Sequence, residues 1–345
     1  MKSFLVQTAL FLGVSLLFLL LSPVLKEGIN PYLFQILMVM GINITLAISL
    51  TLINGITGQF SIGHAGFMAL GAYGAGGFSV FLGPKLAALG LPPLVSQNLW
   101  LVVSILFGGG LAALAGLIIG MPTLRLRGDY LAIATLGFGE IIRVVITNLD
   151  FVGGARGLIG IPTTTNFFWV YFVCLLCGIL VYRLSHTPRG LALSAVREDE
   201  IAATSIGINT TRYKVAAFIT GAFFAGVAGG LFAHFFGYIN PQSFTFVKSF
   251  ELVVMIVLGG LGSITGAVVG AVLLTLLPEF LRAPQAFIPL PLPEFLTGFL
   301  GQVSQYRLLI YSLLLIVLML TRPQGIFGRR EFSLARFLGR KGTEP

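Results

Sequence analysis

The sequence has little charge and little cysteine. Of its 345 residues, 10% are charged and 56% are hydrophobic, whereas soluble domains carry about 25% charged residues. So few polar side chains cannot coat a water-facing surface, which excludes soluble enzymes, disordered proteins and secreted domains. The two cysteines, Cys174 and Cys177, lie one helical turn apart in an apolar run, so a disulfide framework is not expected. The composition predicts a membrane protein.

The motifs of several catalytic classes are also missing. No segment matches the phosphate-binding pattern G-x-x-x-x-G-K-[ST], and His64, His186 and His234 are too far apart in sequence to form a local metal motif. Acidic residues are nearly absent from the long apolar runs, and no Ser/His/Asp grouping stands out. We therefore expect no catalysis and no cofactor or metal in this chain. The lack of a row of intramembrane carboxylates also weighs against ion-coupled transport.

Eight apolar runs are long enough to cross a hydrocarbon core about 30 Å thick, which takes about 20 residues. They cover residues 4–21, 32–54, 65–82, 99–120, 130–147, 166–182, 215–236 and 305–321. A ninth apolar stretch, 251–281, is interrupted by glycines at 259, 260 and 262. The pattern predicts an all-α polytopic membrane protein of eight to ten crossings, with a single transmembrane domain over 1–321 and a basic tail over 322–345.

The basic residues of short loops indicate the orientation, because loops rich in Lys and Arg stay on the cytoplasmic side. The net charge is +9, five basic residues lie in 183–214, and six follow Thr321. We expect both of these segments, and by alternation both termini, to be cytoplasmic. This topology explains the charge better than nucleic-acid binding does, and it lets the tail meet anionic lipid headgroups.

Two glycine-rich segments, 54–66 and 257–271, break the apolar pattern. In this orientation the 251–281 stretch crosses an even number of times, either as two short or re-entrant helices that turn at Gly259–Gly262 or as two full crossings joined by a turn. Non-helical backbone at membrane depth is tolerated where it is buried in protein or lines an aqueous cavity. Breaks in both halves of a chain are typical of repeated transporter folds. Both breaks are therefore candidates for a pathway.

One charged pair, Glu140 and Arg143, lies within a predicted span. The two side chains are three residues apart and share one helix face. Leaving either charge unpaired near mid-membrane costs roughly 2.5–3.5 kcal/mol, which favours a mutual intramembrane ion pair. A polar lining of a pathway, or an anchor near the membrane surface, is the alternative.

Small residues recur at four-residue spacing in several runs, as in Gly221, Ala225 and Gly229. In lipid, helices associate through close van der Waals contact, and such faces let backbones approach. We expect most of the 44 glycines to form packing surface.

The most informative polar segment is 183–214. It contains Arg-Glu-Asp-Glu-Ile-Ala-Ala at 197–203, and Gly207 follows as a helix stop. We expect a short helix over 193–207 in which Leu193, Val196 and Ile201 share an apolar side. Such a helix would suit docking into a groove on a partner, although a solvated connecting loop fits the residues about as well.

Four blocks, in order along the chain, resemble a known family. Glu200, Ala202, Ala203 and Gly207 are similar to the Glu-Ala-Ala-x-x-x-Gly loop of ABC-importer permeases, although Ile201 interrupts the first dipeptide. All four blocks resemble segments of the M-type permease subunit of bacterial branched-chain amino acid importers; they are 54–66, 128–143, 197–209 and 257–271.

The resemblance implies an ATP-driven heteromeric importer in the bacterial plasma (inner) membrane. Its other parts would be a second homologous permease subunit, two cytoplasmic ATP-binding subunits that hold ATP and magnesium, and an extracytoplasmic solute-binding protein. The loop that would contact an ATPase subunit consists of Arg197, Glu198, Asp199, Glu200, Ala202, Ala203 and Gly207.

The solute implied by the resemblance is leucine, isoleucine or valine, moved by alternating access. A zwitterion with a branched side chain needs both polar partners and an apolar wall. The candidate contacts in the two breaks are Gln59, Phe60, Ser61, His64, Phe67, Gly259, Gly260 and Gly262. Permeases for urea or short-chain amides share much of this pattern and stay an alternative. An ion-coupled secondary carrier or a channel is a more distant one.

Overall fold

The computed structural model describes residues 2–87, 93–124, 126, 128–283, 306, 309, 312–313, 316–317, 320–322 and 324–328. Its described part contains α1 (Lys2–Gly28), α2 (Pro31–Leu50), α3 (His64–Ala87), α4 (Pro93–Thr123), α5 (Asp129–Thr147), α6 (Phe167–Ser185), α7 (Pro188–Glu198), α8 (Glu200–Ser205), α9 (Thr210–Phe236), α10 (Phe246–Gly259) and α11 (Ile264–Arg282). A π-helical turn, Thr51–Ile56, extends α2. Two short strands, β1 (Leu158–Ile159) and β2 (Tyr238–Ile239), complete the fold with 3-10 turns at Asp150–Val152, Gly154–Arg156 and Pro241–Phe244.

Eight helices of the described part are long and apolar enough to cross a membrane. They are Pro31–Ile56, His64–Gly83, Val95–Thr123, Asp129–Thr147, Phe167–Ser185, Thr210–Phe236, Pro241–Gly259 and Ile264–Arg282. The all-α polytopic class is therefore confirmed. Most of the predicted 305–321 span and of the 322–345 tail lies outside the described residues.

The bundle has two distinct ends. At one end, α7 and α8 lie beside the start of α9, where Lys214 Nζ is 2.7 Å from Glu200 Oε2. At the other end, β1 pairs with β2 in antiparallel register, with Leu158 opposite Ile239. We call these the α7–α8 end and the β1–β2 end. Because α9 joins α8 to β2, it runs from the first end to the second, and α10 returns.

The core lies around α2, α3 and α9. The second half of α2 is buried without interruption from Gly41 to Leu50, which suits a helix that is apolar on all sides. Helices α3 and α9 approach so closely that a Cβ atom on Gly71 would overlap the backbone of Gly226, and one on Gly229 would overlap the carbonyl of Met68. The predicted role of small residues in close helix packing is confirmed at these crossings.

The polar segment after α6 differs from the single helix predicted over 193–207. It forms two helices, because Asp199 leaves the helical conformation and its Oδ1 accepts hydrogen bonds from the backbone N–H groups of Ile201 (2.8 Å) and Ala202 (3.0 Å). Asp199 is thus an N-cap, a position that favours aspartate. Leu193 is buried, but Ile201 is 67% exposed, so the predicted shared apolar side is wrong.

The second glycine break is a turn between α10 and α11. Gly260 and Gly262 have φ values of +117° and +91°, a region that glycine enters without steric cost. Both flanking helices are long and apolar enough to cross a membrane. This geometry corresponds to the alternative of two crossings joined by a turn.

Candidate functional site

The first glycine break turns the chain back into the bundle. The π-helical turn ends at Ile56 beside α7, residues 57–63 follow without regular structure, and α3 begins at His64. His64 Nε2 lies 2.8 Å from Ser49 Oγ. Ser49 precedes Ile56 by seven residues, a rise of about 10 Å along a helix. The 57–63 stretch therefore re-enters the bundle by about that depth, and we call it the re-entrant segment.

Side chains of the re-entrant segment alternate in burial, as those of an extended strand do. Thr57, Gln59 and Ser61 are buried, whereas Gly58 and Phe60 are exposed. The buried side of the segment is therefore polar.

The backbone of the re-entrant segment finds its hydrogen bonds inside the protein. The Asn54 amide acts like a neighbouring strand, since its Nδ2 donates to the Ser61 carbonyl (3.1 Å) and its Oδ1 accepts from the Ser61 N–H (3.2 Å). The Ile62 N–H donates to Thr135 Oγ1 of α5 at 3.1 Å. These contacts meet the requirement for non-helical backbone within a membrane domain.

Polar atoms on three side chains of this region lack a hydrogen-bond partner. The Gln59 amide, the Ser61 hydroxyl and His64 Nδ1 are buried and make no hydrogen bond to any described residue. A buried polar group without a partner costs about 1–3 kcal/mol. All three belong to the set predicted to contact solute, and they follow one another along the same stretch of chain.

The other predicted solute contacts are distributed differently. Phe67 is 2% exposed and packs edge-on against Phe218, with ring centroids 5.5 Å apart, whereas Phe60 is 38% exposed. Gly259 faces the backbone of Gly266, so it serves the contact between α10 and α11. Phe67 also packs edge-on against His64, with ring centroids 6.5 Å apart, so the structure brings Phe67 together with one of the unpartnered polar groups.

The two glycine breaks meet at Arg197. A Cβ atom on Gly55 would lie 2.5 Å from the Gly262 nitrogen, so their backbones touch. Arg197 Nη1 donates to the Gly55 carbonyl at 3.0 Å and would lie 3.4 Å from a Cβ on Gly262. The Arg197 stem packs on Gly58, where a Cβ would lie 2.6 Å from Cγ. We call this group of four residues the Arg197 junction.

The segment that follows the last apolar run also reaches this region. The Ile326 N–H donates to the Leu258 carbonyl at 2.9 Å, and the Phe327 N–H donates to the Gly259 carbonyl at 3.1 Å. These carbonyls end α10 and have no partner within the helix. Residues 326 and 327 therefore cap the helix that leads into the second glycine break.

The remaining residues of the predicted coupling loop lie at the α7–α8 end, and most of them are exposed there. Glu198 is 59% exposed and pairs with Arg197 at 2.8 Å. Ala202 and Gly207 are exposed, and Ala203 is buried. Three large aliphatic side chains here, Leu191, Ile201 and Ile206, are exposed. Their exposure could not be predicted from residue type, since Leu193 and Val196 of the same segment are buried.

Glu140 and Arg143 form an ion pair on α5, with Arg143 Nε 2.7 Å from Glu140 Oε2. Glu140 also accepts a hydrogen bond from the Phe246 N–H at 3.0 Å through Oε1, and so caps the start of α10, where a negative charge is favourable. A second pair, Lys248 and Glu251 on α10, lies 3.1 Å apart. The sequence analysis did not identify it, although its three-residue spacing is the same. Within the described residues, no three potential ligands cluster to hold a metal ion.

Comparison with known proteins finds one family. Residues 32–319 match the model of a family described as branched-chain amino acid transport system / permease component. No solved structure matches the chain.

Individual permease proteins are similar to the chain over half of its length or more. It is 34% identical over 320 residues to the high-affinity branched-chain amino acid transport system permease protein LivM of Salmonella typhimurium, covering 83% of this chain and 67% of that protein. LivM of Escherichia coli K12 shows the same identity and coverage. LivH of Escherichia coli K12 is 30% identical over 171 residues, which is 50% of this chain and 49% of LivH.

Proposed function

Because the chain belongs to the family of branched-chain amino acid transport system permease components, we propose that it is the permease subunit of an ATP-driven importer of leucine, isoleucine and valine in the bacterial inner membrane. The observation that carries the proposal is the Arg197 junction, which connects the exposed α7–α8 segment with both glycine breaks. Such a connection lets a force applied from outside the chain reach the interior of the bundle.

The α7–α8 end is the docking surface for a cytoplasmic ATP-binding subunit in this proposal. Leu191, Ile201 and Ile206 supply exposed apolar area, and Glu198 supplies an exposed carboxylate. ATP and magnesium bind on two such subunits, while a second homologous permease and an extracytoplasmic solute-binding protein complete the importer. The orientation follows from the basic loops, and it places both termini of the chain on the cytoplasmic side.

Transport then proceeds by alternating access. Movement of α7 as the ATP-binding subunits close pulls Arg197 against the Gly55 carbonyl and the turn at Gly262, which shifts α2 and the α10–α11 pair. The re-entrant segment lies between these elements. Its unpartnered groups on Gln59 and Ser61, together with Nδ1 of the adjoining His64, become hydrogen-bond partners for a passing solute in the open states.

Uptake by the complete importer tests the proposal. Proteoliposomes that contain this chain with its partner subunits should accumulate labelled leucine, isoleucine and valine when ATP and the binding protein are supplied. Because the unpartnered groups of the re-entrant segment are uncharged, urea or a short-chain amide is the second candidate. Accumulation of urea without the amino acids would replace the first function with the second, and ATP-independent accumulation would refute both.

The docking role of the α7–α8 end has its own test. Glu200→Gln and Gly207→Val should uncouple ATP hydrolysis from uptake while the complex still assembles. Since Glu200 also pairs with Lys214, which is 8% exposed, the double variant Glu200→Gln with Lys214→Met is the control. If the double variant recovers normal coupling, the effect came from the buried lysine. Normal transport in both single variants would refute the docking role.

A further inference from the structure

The charged side chains on α5 and α10 include Glu140, Lys248 and Glu251. Glu140 lies seven residues before the end of α5, and Lys248 and Glu251 lie in the first two turns of α10, which begins at Phe246. All three are on neighbouring helices, because Glu140 of α5 accepts a hydrogen bond from the first residue of α10. These three charges are therefore gathered in one region near the start of α10.

These three charged side chains are partly exposed on the surface of the bundle. The exposed fractions are 32% for Glu140, 22% for Lys248 and 49% for Glu251. An unpaired charge near mid-membrane costs roughly 2.5–3.5 kcal/mol, and this surface pairs each of its charges with a partner on the same helix. We call it the α5–α10 face; it consists of Glu140, Arg143, Phe246, Val247, Lys248, Phe250 and Glu251.

Glu140, Arg143, Lys248 and Glu251 differ in whether hydrogen bonds engage all of their polar atoms. Both oxygens of Glu140 are engaged, and Lys248 Nζ bonds Glu251 at 3.1 Å and Asn43 Oδ1 at 3.3 Å. Arg143 pairs through Nε only, and Glu251 through Oε2 only. The two Nη groups of Arg143 and the Oε1 atom of Glu251 have no hydrogen-bond partner among the described residues. Glu140 and Lys248 thus hold these two side chains in place.

An apolar strip lies between the Nη groups of Arg143 and the Oε1 atom of Glu251. Phe246, Val247 and Phe250 are each at least half exposed on α10. Phe246 lies beside Glu140 and its pair, and Glu251 follows five residues later, a rise of about 7.5 Å. A guanidinium edge, an apolar strip and a carboxylate oxygen therefore follow one another from the β1–β2 end inwards.

We propose that the α5–α10 face is a contact site for a zwitterionic amino acid, in which Arg143 binds the carboxylate, Glu251 binds the ammonium, and Phe246, Val247 and Phe250 contact the apolar side chain. The guanidinium fork matches a carboxylate in two parallel hydrogen bonds. A solute that arrives from the β1–β2 end meets Arg143 before Glu251. This inference rests on the proposed import function and assigns its charged contacts.

The test neutralises one ion pair at a time in the complete importer. The variants are Glu140→Gln with Arg143→Met, and Lys248→Met with Glu251→Gln; the amide oxygen introduced by Glu140→Gln can still accept from the Phe246 N–H. The matched control is Glu279→Gln with Arg282→Met, because this pair has the same three-residue spacing but lies at the end of α11. The readouts are ATP-driven leucine uptake in proteoliposomes and the melting temperature of the purified complex.

Each variant of the α5–α10 face should lower leucine uptake about tenfold, the equivalent of one hydrogen bond to a charged group, with an unchanged melting temperature and an unaffected control. Wild-type uptake in either variant, or a loss that follows a lower melting temperature, overturns the inference. If the wild-type importer carries no leucine, the proposed function itself fails. If it carries leucine and the variants do so equally well, only the contact site fails.

Discussion

Replacing Arg197 with glutamine should weaken the connection between the α7–α8 end and both glycine breaks. In the wild-type chain, Arg197 Nη1 donates to the Gly55 carbonyl at 3.0 Å, and a hydrogen bond from a charged group contributes about 1.5–3 kcal/mol. The pair with the exposed Glu198 adds at most about 1 kcal/mol. A loss of about 2 kcal/mol shifts an equilibrium between connected and disconnected arrangements about thirtyfold.

The assay is the number of ATP molecules hydrolysed per leucine taken up by the reconstituted importer. Arg197→Gln should raise this ratio several-fold, because closure of the ATP-binding subunits would no longer move the glycine breaks. Arg197→Lys should give an intermediate ratio, since the ammonium keeps the charge but not the planar fork.

Arg189, an exposed arginine on the same helix, provides the matched control. Arg189→Gln removes the same charge from α7 but should leave the ratio at the wild-type value. If Arg197→Gln also keeps the wild-type ratio while uptake proceeds normally, the reasoning about the junction is refuted.

Three further predictions concern the fold that supports the site. Asn54→Ala should lower the melting temperature and cost about 2–4 kcal/mol, because it leaves both backbone groups of Ser61 buried without partners; an unchanged melting temperature would show that this clamp is dispensable. Gly71→Val should abolish the monodisperse peak in size-exclusion chromatography, since a Cβ there overlaps backbone, whereas Gly110→Val, with open space around it, should behave like wild type. Asp199→Ala should speed amide hydrogen exchange in α8, because loss of an N-cap costs about 1 kcal/mol; equal exchange rates would contradict the capping role.

The membrane spans could be predicted from the sequence because hydropathy is a local property. The 215–236 run corresponds to the apolar part of α9, and the 130–147 run corresponds to α5 almost residue for residue. Both glycine breaks were also predictable, since glycines at 259–262 end a helix whatever packs around them. The spacing of Glu140 and Arg143 likewise indicated a pair on one face.

The division of the 193–207 segment was harder to predict. Its apolar spacing suits one helix, yet Asp199 can either continue a helix or cap a new one, and both are locally possible. The exposed position of Ile201 follows from the second choice. The Lys248–Glu251 pair could not be predicted from continuous apolar runs, because the predicted 251–281 stretch begins after Lys248.

The sequence alone determined that this protein lies in a membrane, that it is built of apolar helices, and where glycines interrupt two of its apolar runs. Only the tertiary structure decided that the 57–63 stretch re-enters the bundle and that Arg197 joins two breaks, one of them 142 residues away along the chain. The physical reason is that a hydrogen bond between distant residues depends on which helices pack together. Hydropathy and glycine content describe each helix separately and carry no information about its neighbours.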